Sequence, residues 1–154
     1  TIYGGKITSY RHVAEHAVDD LAAHVAALTG ARWTAGAPLP GGDFRTDGAA
    51  ALKADYRLAH PFLSAATVDR IVKAYGTDAR AWLGTAESWD DLGGEIAHGL
   101  SAAEIRWMID REWAQTSDDI LWRRSKLGLH FTAEDIKRLD AFLDGIAVKP
   151  ALPE

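Results

Sequence analysis

The stretch TSYRHVAEHAVDDLAAHVAALTG, residues 8–30, sets the reading of the whole chain. Its apolar side chains fall at Tyr10, Ala14, Ala17, Val18, Leu21, Val25 and Leu28, the spacing of one face of an α-helix. Gly30 follows Thr29 as a helix-ending glycine, so an amphipathic helix is predicted from Thr8 to Leu28. The same grammar recurs downstream. After a turn-rich loop over residues 31–48, anchored by Trp33 and Phe44, a short helix runs from Gly48 to Leu58 and ends before His60-Pro61. Ser64 caps a helix that turns Val68, Ile71, Val72 and Tyr75 inward and stops at Gly76. Thr77 caps a shorter segment ended by Gly84. Ser101 and Glu104 form a capping box ahead of Ile105, Met108, Ile109 and Trp113. Ser117 with Asp118 and Asp119 opens another helix, and Thr132 with Asp135 opens the last, which carries Ile136, Leu139, Phe142 and Leu143 to Gly145. No hairpin signal and no repeat period interrupts this order. The fold class is all-α, about six or seven helices, with one short strand at Thr1-Ile2-Tyr3. That strand has no partner downstream and reads as the edge of a sheet belonging to a longer chain.

Composition bounds the function. With 154 residues, 47% of them hydrophobic, the chain can bury a core, since a domain of this size hides about two thirds of its unfolded surface. A net charge of -5 removes the electrostatic basis of nucleic-acid binding, so no nucleic-acid partner is expected. The absence of cysteine excludes disulfides, thiolate nucleophiles and thiolate zinc sites. No apolar run approaches the roughly 18 to 20 residues that cross a bilayer.

Few motifs carry chemistry. His12, Glu15 and His16 match the H-x-x-E-H zinc pattern, but they fall opposite the apolar stripe and no third ligand is marked out, so no metal is expected. Asp43-Phe-Arg-Thr-Asp-Gly48 echoes a calcium loop, yet arginine holds its third position and Ala54 its twelfth. No dinucleotide or Walker fingerprint occurs. Arg123, Arg124 and Lys126 gather where a helix ends, which suits the helix dipole and pairing with Glu112, Asp118 or Asp119 better than an anion site. The six tryptophans read as core filling and anchors. At the start, Gly4-Gly5 permits close backbone approach, Lys6 supplies a cation, and the helix after Thr8 presents unpaired N–H groups. Together these form a device for an anion or for developing negative charge.

The blocks YGGKITSYRHVAEHA, WT with LPGGDF, RIVKAYGTDA, DLGGEIAHGLSAAEI and EWAQTSDDILWRRSKLGL, spread in order over residues 1–131, resemble the C-terminal part of FAD-dependent glycerol-3-phosphate dehydrogenases. The resemblance implies a membrane-associated flavoenzyme that oxidises sn-glycerol 3-phosphate to dihydroxyacetone phosphate with FAD and passes electrons to quinone. It implies that Gly4, Gly5, Lys6, Ile7 and Thr8 lie beside the isoalloxazine ring, with Lys6 the candidate catalytic residue in an electrostatic role. Ser9 departs from the usual threonine and His12 from the usual lysine or other polar residue. Residues 1–30 would hold the last flavin-contacting strand, loop and helix; residues 31–145 the helical domain; residues 146–154 a frayed tail. Expected partners are the upstream FAD and substrate domains of the same chain, glycerol 3-phosphate, the quinone pool and a second copy in a homodimer. The expected location is cytoplasmic, peripheral on the inner face of the membrane, and the fragment by itself is expected to be inactive. Two alternatives stay open: a glycerol-3-phosphate oxidase, and a non-catalytic dimerisation or membrane-docking module.

Overall fold

The structure, a computed structural model, describes Tyr3 and residues 5–146; Thr1, Ile2, Gly4 and residues 147–154 lie outside it. The predicted strand at Thr1-Ile2-Tyr3 and nearly all of the frayed tail therefore fall outside the described residues. The chain divides into two compact units, Thr1–Leu39 and Pro40–Glu154.

The first unit is a 3-10 turn, Ile7–Ser9, leading into α1, Tyr10–Ala22, with a second 3-10 turn at Thr34–Gly36. Polar contacts hold it together. The Arg11 guanidinium donates to the carbonyls of Thr34 and Ala37, the Thr34 hydroxyl donates to Glu15 at 2.5 Å, and Arg32 meets Asp19 at 2.5 Å. None of its described residues is buried. The helix expected to reach Leu28 ends at Ala22, and the chain leaves it in short turns rather than at Gly30. Helices in water depend on packing for most of their stability, and Val25 and Leu28 stay exposed, so nothing sustains the last two turns. Trp33, expected as an anchor, is 72% exposed.

The second unit has a core. It runs α2 (Ala49–Ala59), α3 (Ala65–Tyr75), a 3-10 turn (Gly76–Ala79), α4 (Arg80–Leu83), β1 (Glu95–Ala97), β2 (Leu100–Ser101), α5 (Ala102–Glu112), a π-helical segment (Asp119–Arg124) and α6 (Ala133–Gly145). Val68, Ile71, Leu83, Leu100, Ile105, Met108, Ile120, Leu121 and Leu139 are almost wholly buried. Each such side chain contributes about 1.5–3 kcal/mol relative to exposure. α3 follows its sequence grammar: Ser64 Oγ accepts the Thr67 N–H at 3.1 Å, and Gly76 ends the helix at φ 53. Gly76 also permits a close crossing, because a Cβ there would lie 1.9 Å from the Gly41 carbonyl oxygen. α6 begins with the full Thr132–Asp135 capping box.

Several local expectations fail for identifiable reasons. The strands β1 and β2 pair antiparallel around His98 (φ 51) and Gly99 (φ 76), a positive-φ pair of the kind a type I′ turn requires; histidine hides it because Asn-Gly is the usual signal. Thr77 does not cap α4, since a 3-10 turn links α3 to it directly. Trp113 is 82% exposed, because it adopts left-handed geometry (φ 56) just past the end of α5. Phe44 is likewise exposed. The helix expected from Ser117 is π-helical and its cap sits earlier: Asp119 accepts the N–H groups of Gln115 and Thr116, and Thr116 Oγ1 accepts the Asp119 N–H at 3.2 Å.

Candidate functional site

In the first unit, Gly5 takes φ 113, a conformation glycine adopts readily and other residues resist. Lys6 is extended at φ -76, ψ 142, and its carbonyl accepts both the N–H and the hydroxyl of Ser9, at 3.0 and 2.9 Å. Lys6, Ile7 and Thr8 are exposed, while Gly4 lies outside the described residues. The α-helix starts at Tyr10 rather than after Thr8, because the 3-10 turn comes between. Helical structure thus begins directly after Lys6 with a 3-10 turn, where an α-helix from Thr8 was expected.

His12 and His16 sit on the exposed side of α1 with ring centroids 4.3 Å apart, and Glu15 accepts the Thr34 hydroxyl. Among the described residues no group of three or more histidine, aspartate or glutamate side chains is placed to hold a metal ion.

The second unit has a polar centre that sequence reasoning missed. Glu104, wholly buried, accepts two hydrogen bonds from Arg70, at 2.5 and 2.7 Å, and one from the Tyr75 hydroxyl at 2.8 Å. Arg70 also donates to the Gly99 carbonyl at 2.8 Å, so one ion pair ties α3, α5 and the hairpin turn together. Burial raises the Tyr75 hydroxyl far above its ordinary range, and the charge of Glu104 pushes the same way, so the phenol stays protonated as the donor. The capping box expected of Ser101 and Glu104 is only half formed: Ser101 Oγ accepts the Glu104 N–H at 3.1 Å, but the carboxylate is committed to Arg70 and Tyr75. A glutamate three residues after a serine reads as a cap from sequence, and only the arrival of Arg70 from 34 positions away reveals the other use.

Beside this centre opens a cleft of about 700 Å³ whose lining includes Phe62, Arg70, Trp89, His98, Lys126 and His130. Phe62 and Trp89 meet edge to face at 5.5 Å, and the rings of His98 and His130 are 6.4 Å apart. His98 Nε2 faces Asp135 at 3.3 Å. Asp135 is held well below the ordinary carboxylate range, first by the backbone N–H and hydroxyl of Thr132 and then by Arg138 and His98. The cationic run nearby is mostly satisfied within the chain. Arg123 pairs with Asp119 at 2.8 Å, Arg124 donates to the Glu112 carbonyl at 2.9 and 2.6 Å, and Lys126 donates to the Trp122 carbonyl. The expected pairing with Asp119 holds, whereas Glu112 acts through its backbone.

Comparison with known proteins gives a consistent result. The family described as the C-terminal domain of alpha-glycerophosphate oxidase matches residues 32–147, a span that begins after the Gly5–Thr8 segment. The aerobic glycerol-3-phosphate dehydrogenase of Escherichia coli is 36% identical over 146 residues, covering 93% of this chain and 28% of that protein. A glycerol-3-phosphate dehydrogenase of Pseudomonas aeruginosa is 38% identical over 143 residues, again 93% of this chain and 28% of its own length. The D-erythritol 1-phosphate dehydrogenase of Brucella abortus is 34% identical over 131 residues, covering 85% of this chain and 26% of that protein. The chain thus spans just over a quarter of the length of these relatives.

Proposed function

Because the chain belongs to the family of the C-terminal domain of alpha-glycerophosphate oxidase, we propose that it is the helical C-terminal domain of an FAD-dependent dehydrogenase oxidising sn-glycerol 3-phosphate to dihydroxyacetone phosphate. The observation that carries this reading is the 36–38% identity to glycerol-3-phosphate dehydrogenases across 93% of the chain. In this reading residues 1–30 supply the last flavin contact, residues 31–145 form the helical domain, and the remaining length of the enzyme brings the FAD and substrate domains. Quinone is the electron acceptor and the enzyme works from the cytoplasmic face of the membrane. No described helix is long and apolar enough to cross a membrane, which suits a peripheral association.

Gly4, Gly5, Lys6, Ile7 and Thr8 are the residues that would hold the flavin ring. The geometry of Gly5 to Thr8 fits that use: Gly5 at φ 113 leaves its backbone open to close approach, and Lys6, Ile7 and Thr8 are exposed at the start of helical structure. FAD, when bound, supplies the acceptor for the hydride lost by the alcohol. Lys6 provides a positive charge, and the N–H groups of Ile7 and Thr8 provide donors, at one place where negative charge develops. Their work is electrostatic and needs no bond to the lysine.

The test uses the full-length enzyme carrying this domain. Lys6→Ala is expected to reduce kcat by roughly 10²-fold, as loss of one preorganised electrostatic partner does, and to shift the flavin potential at an unchanged melting temperature. Unaltered kinetics would remove Lys6 from the site. Because the D-erythritol 1-phosphate relative is nearly as similar as the others, both polyol phosphates belong in the assay. Reduction of oxygen in place of quinone would reassign the enzyme as an oxidase.

A further inference from the structure

We propose that the cleft between the start of α3, the β1–β2 turn and the Ser125–His130 turn binds a phosphomonoester carrying an apolar or planar body. This does not rest on the flavoenzyme reading, since every residue it uses lies in the second unit. The cleft, at about 700 Å³, is in the usual size range of small-molecule sites. Two cations, Arg70 and Lys126, and the imidazoles of His98 and His130 line it with one acid, Glu95, whose carboxylate is engaged by the Gly99 N–H at 2.7 Å. Glu104 compensates Arg70 and Asp135 faces His98, but among the described residues no ion pair engages Lys126 or His130. Lys126 donates only to a neutral carbonyl, so its charge and remaining N–H donors are available. The imidazoles of His98 and His130, 6.4 Å apart, are close enough to reach one phosphate group, and several donors converging on a compact anion are what phosphate recognition needs. Phe62 and Trp89 supply the apolar wall for the body of the ester.

The backbone singles out the same place. Of the three described non-glycine residues at positive φ, two, His98 (φ 51) and Lys126 (φ 62), line this cleft. An L residue is strained there, and glycine would form the Lys126 turn without that penalty. Lysine brings to that turn its bond to the Trp122 carbonyl and a positive charge in the cleft lining. Gly99 shapes the wall: a Cβ there would lie 2.5 Å from Oγ1 of Thr67, which also lines the cleft.

The strain at Lys126 makes the test clean. Phenyl phosphate titrated into the purified chain, followed by calorimetry and amide proton–nitrogen spectra, is expected to bind saturably and to shift the amides of Gly99 and of the Ser125–His130 turn most. Lys126→Gly should weaken binding by about tenfold or more while leaving the melting temperature equal or higher; Lys126→Arg should restore most of the affinity. Binding unchanged in Lys126→Gly, or no saturation at millimolar phenyl phosphate, would overturn the assignment. Inorganic phosphate binding as tightly as the phenyl ester would overturn the part given to Phe62 and Trp89. Flotation with vesicles containing phosphatidic acid, lost in Lys126→Gly, would identify the monoester as a lipid headgroup; binding of the soluble ester without flotation would identify a free metabolite.

Discussion

α1 and α3 are both written as amphipathic helices, yet they use their apolar faces in opposite ways. α3 buries five of its 11 residues, begins at the Ser64 cap and ends at a glycine. α1 buries none of its 13, its Ser9 hydroxyl bonds backward to Lys6 instead of capping, and no glycine ends it. Its tertiary contacts are polar and partly solvated: Arg11 with two carbonyls, Glu15 with Thr34, Asp19 with Arg32. Periodicity therefore specifies which face of a helix is apolar, but not whether anything within reach will cover it. An exposed ion pair contributes about 0–1 kcal/mol, whereas each core side chain of α3 contributes about 1.5–3 kcal/mol, so the second unit holds most of the chain's stability.

The strongest way to break this contrast is to remove the polar group on which the second unit depends. Glu104→Ala strands the Arg70 guanidinium, whose side chain is only 19% exposed, without its counter-charge. The expected loss is about 3–5 kcal/mol by urea unfolding, the usual consequence of orphaning one member of a buried pair. Asp19→Ala, which removes the main ion pair of the first unit, should cost no more than about 1 kcal/mol. Equal losses would mean that the first unit depends on its polar contacts as deeply as the second depends on its core.

Acid should expose an intermediate effect. The carboxyl of Asp119 is lowered to about 2, first by the Gln115 N–H and then by Thr116 and Arg123, against roughly 3.9 in an unfolded chain. A carboxylate depressed in the folded state stabilises fully above its unfolded value, and that stabilisation is lost as pH falls through the folded value. Asp135 is lowered further still, in the same direction. Stability should therefore be level above about pH 4 and fall steadily toward pH 2. Asp119→Asn, which keeps the shape of the cap, should lower the plateau by about 1 kcal/mol and flatten the acid limb, as read from urea midpoints at stepped pH.

Much of the second unit was legible because its signals are local. Ser64 to Gly76 and Thr132 to Gly145 each carry start, stripe and stop within one segment, and both helices form where the sequence puts them. The hairpin was not legible, since its turn places His98 at positive φ where a sequence reader looks for Asn-Gly. Nor was the Arg70–Glu104 pair, because two residues 34 positions apart meet only after α3 and α5 pack. The cleft follows the same rule: Phe62, His98 and Lys126 stand in three separate segments, and no spacing in the chain announces their meeting. The Gly4–Thr8 segment is the reverse case, visible as a motif in sequence while the fold leaves Gly5 to Thr8 exposed.

The smallest expected effect sharpens the comparison most. Leu21 lies on the apolar stripe of α1 and is 52% exposed. Leu21→Ser should change the stability of this chain by no more than about 0.5 kcal/mol, because it removes little buried surface. Amide exchange should give the same order, with α1 exchanging through local opening and α3 only through opening near the global limit. In the full-length enzyme proposed above, the outcome separates two roles for the stripe. If the additional chain covers it, Leu21→Ser becomes a core truncation costing about 2 kcal/mol or more and α1 gains exchange protection; if it stays open, both values remain those of a surface site.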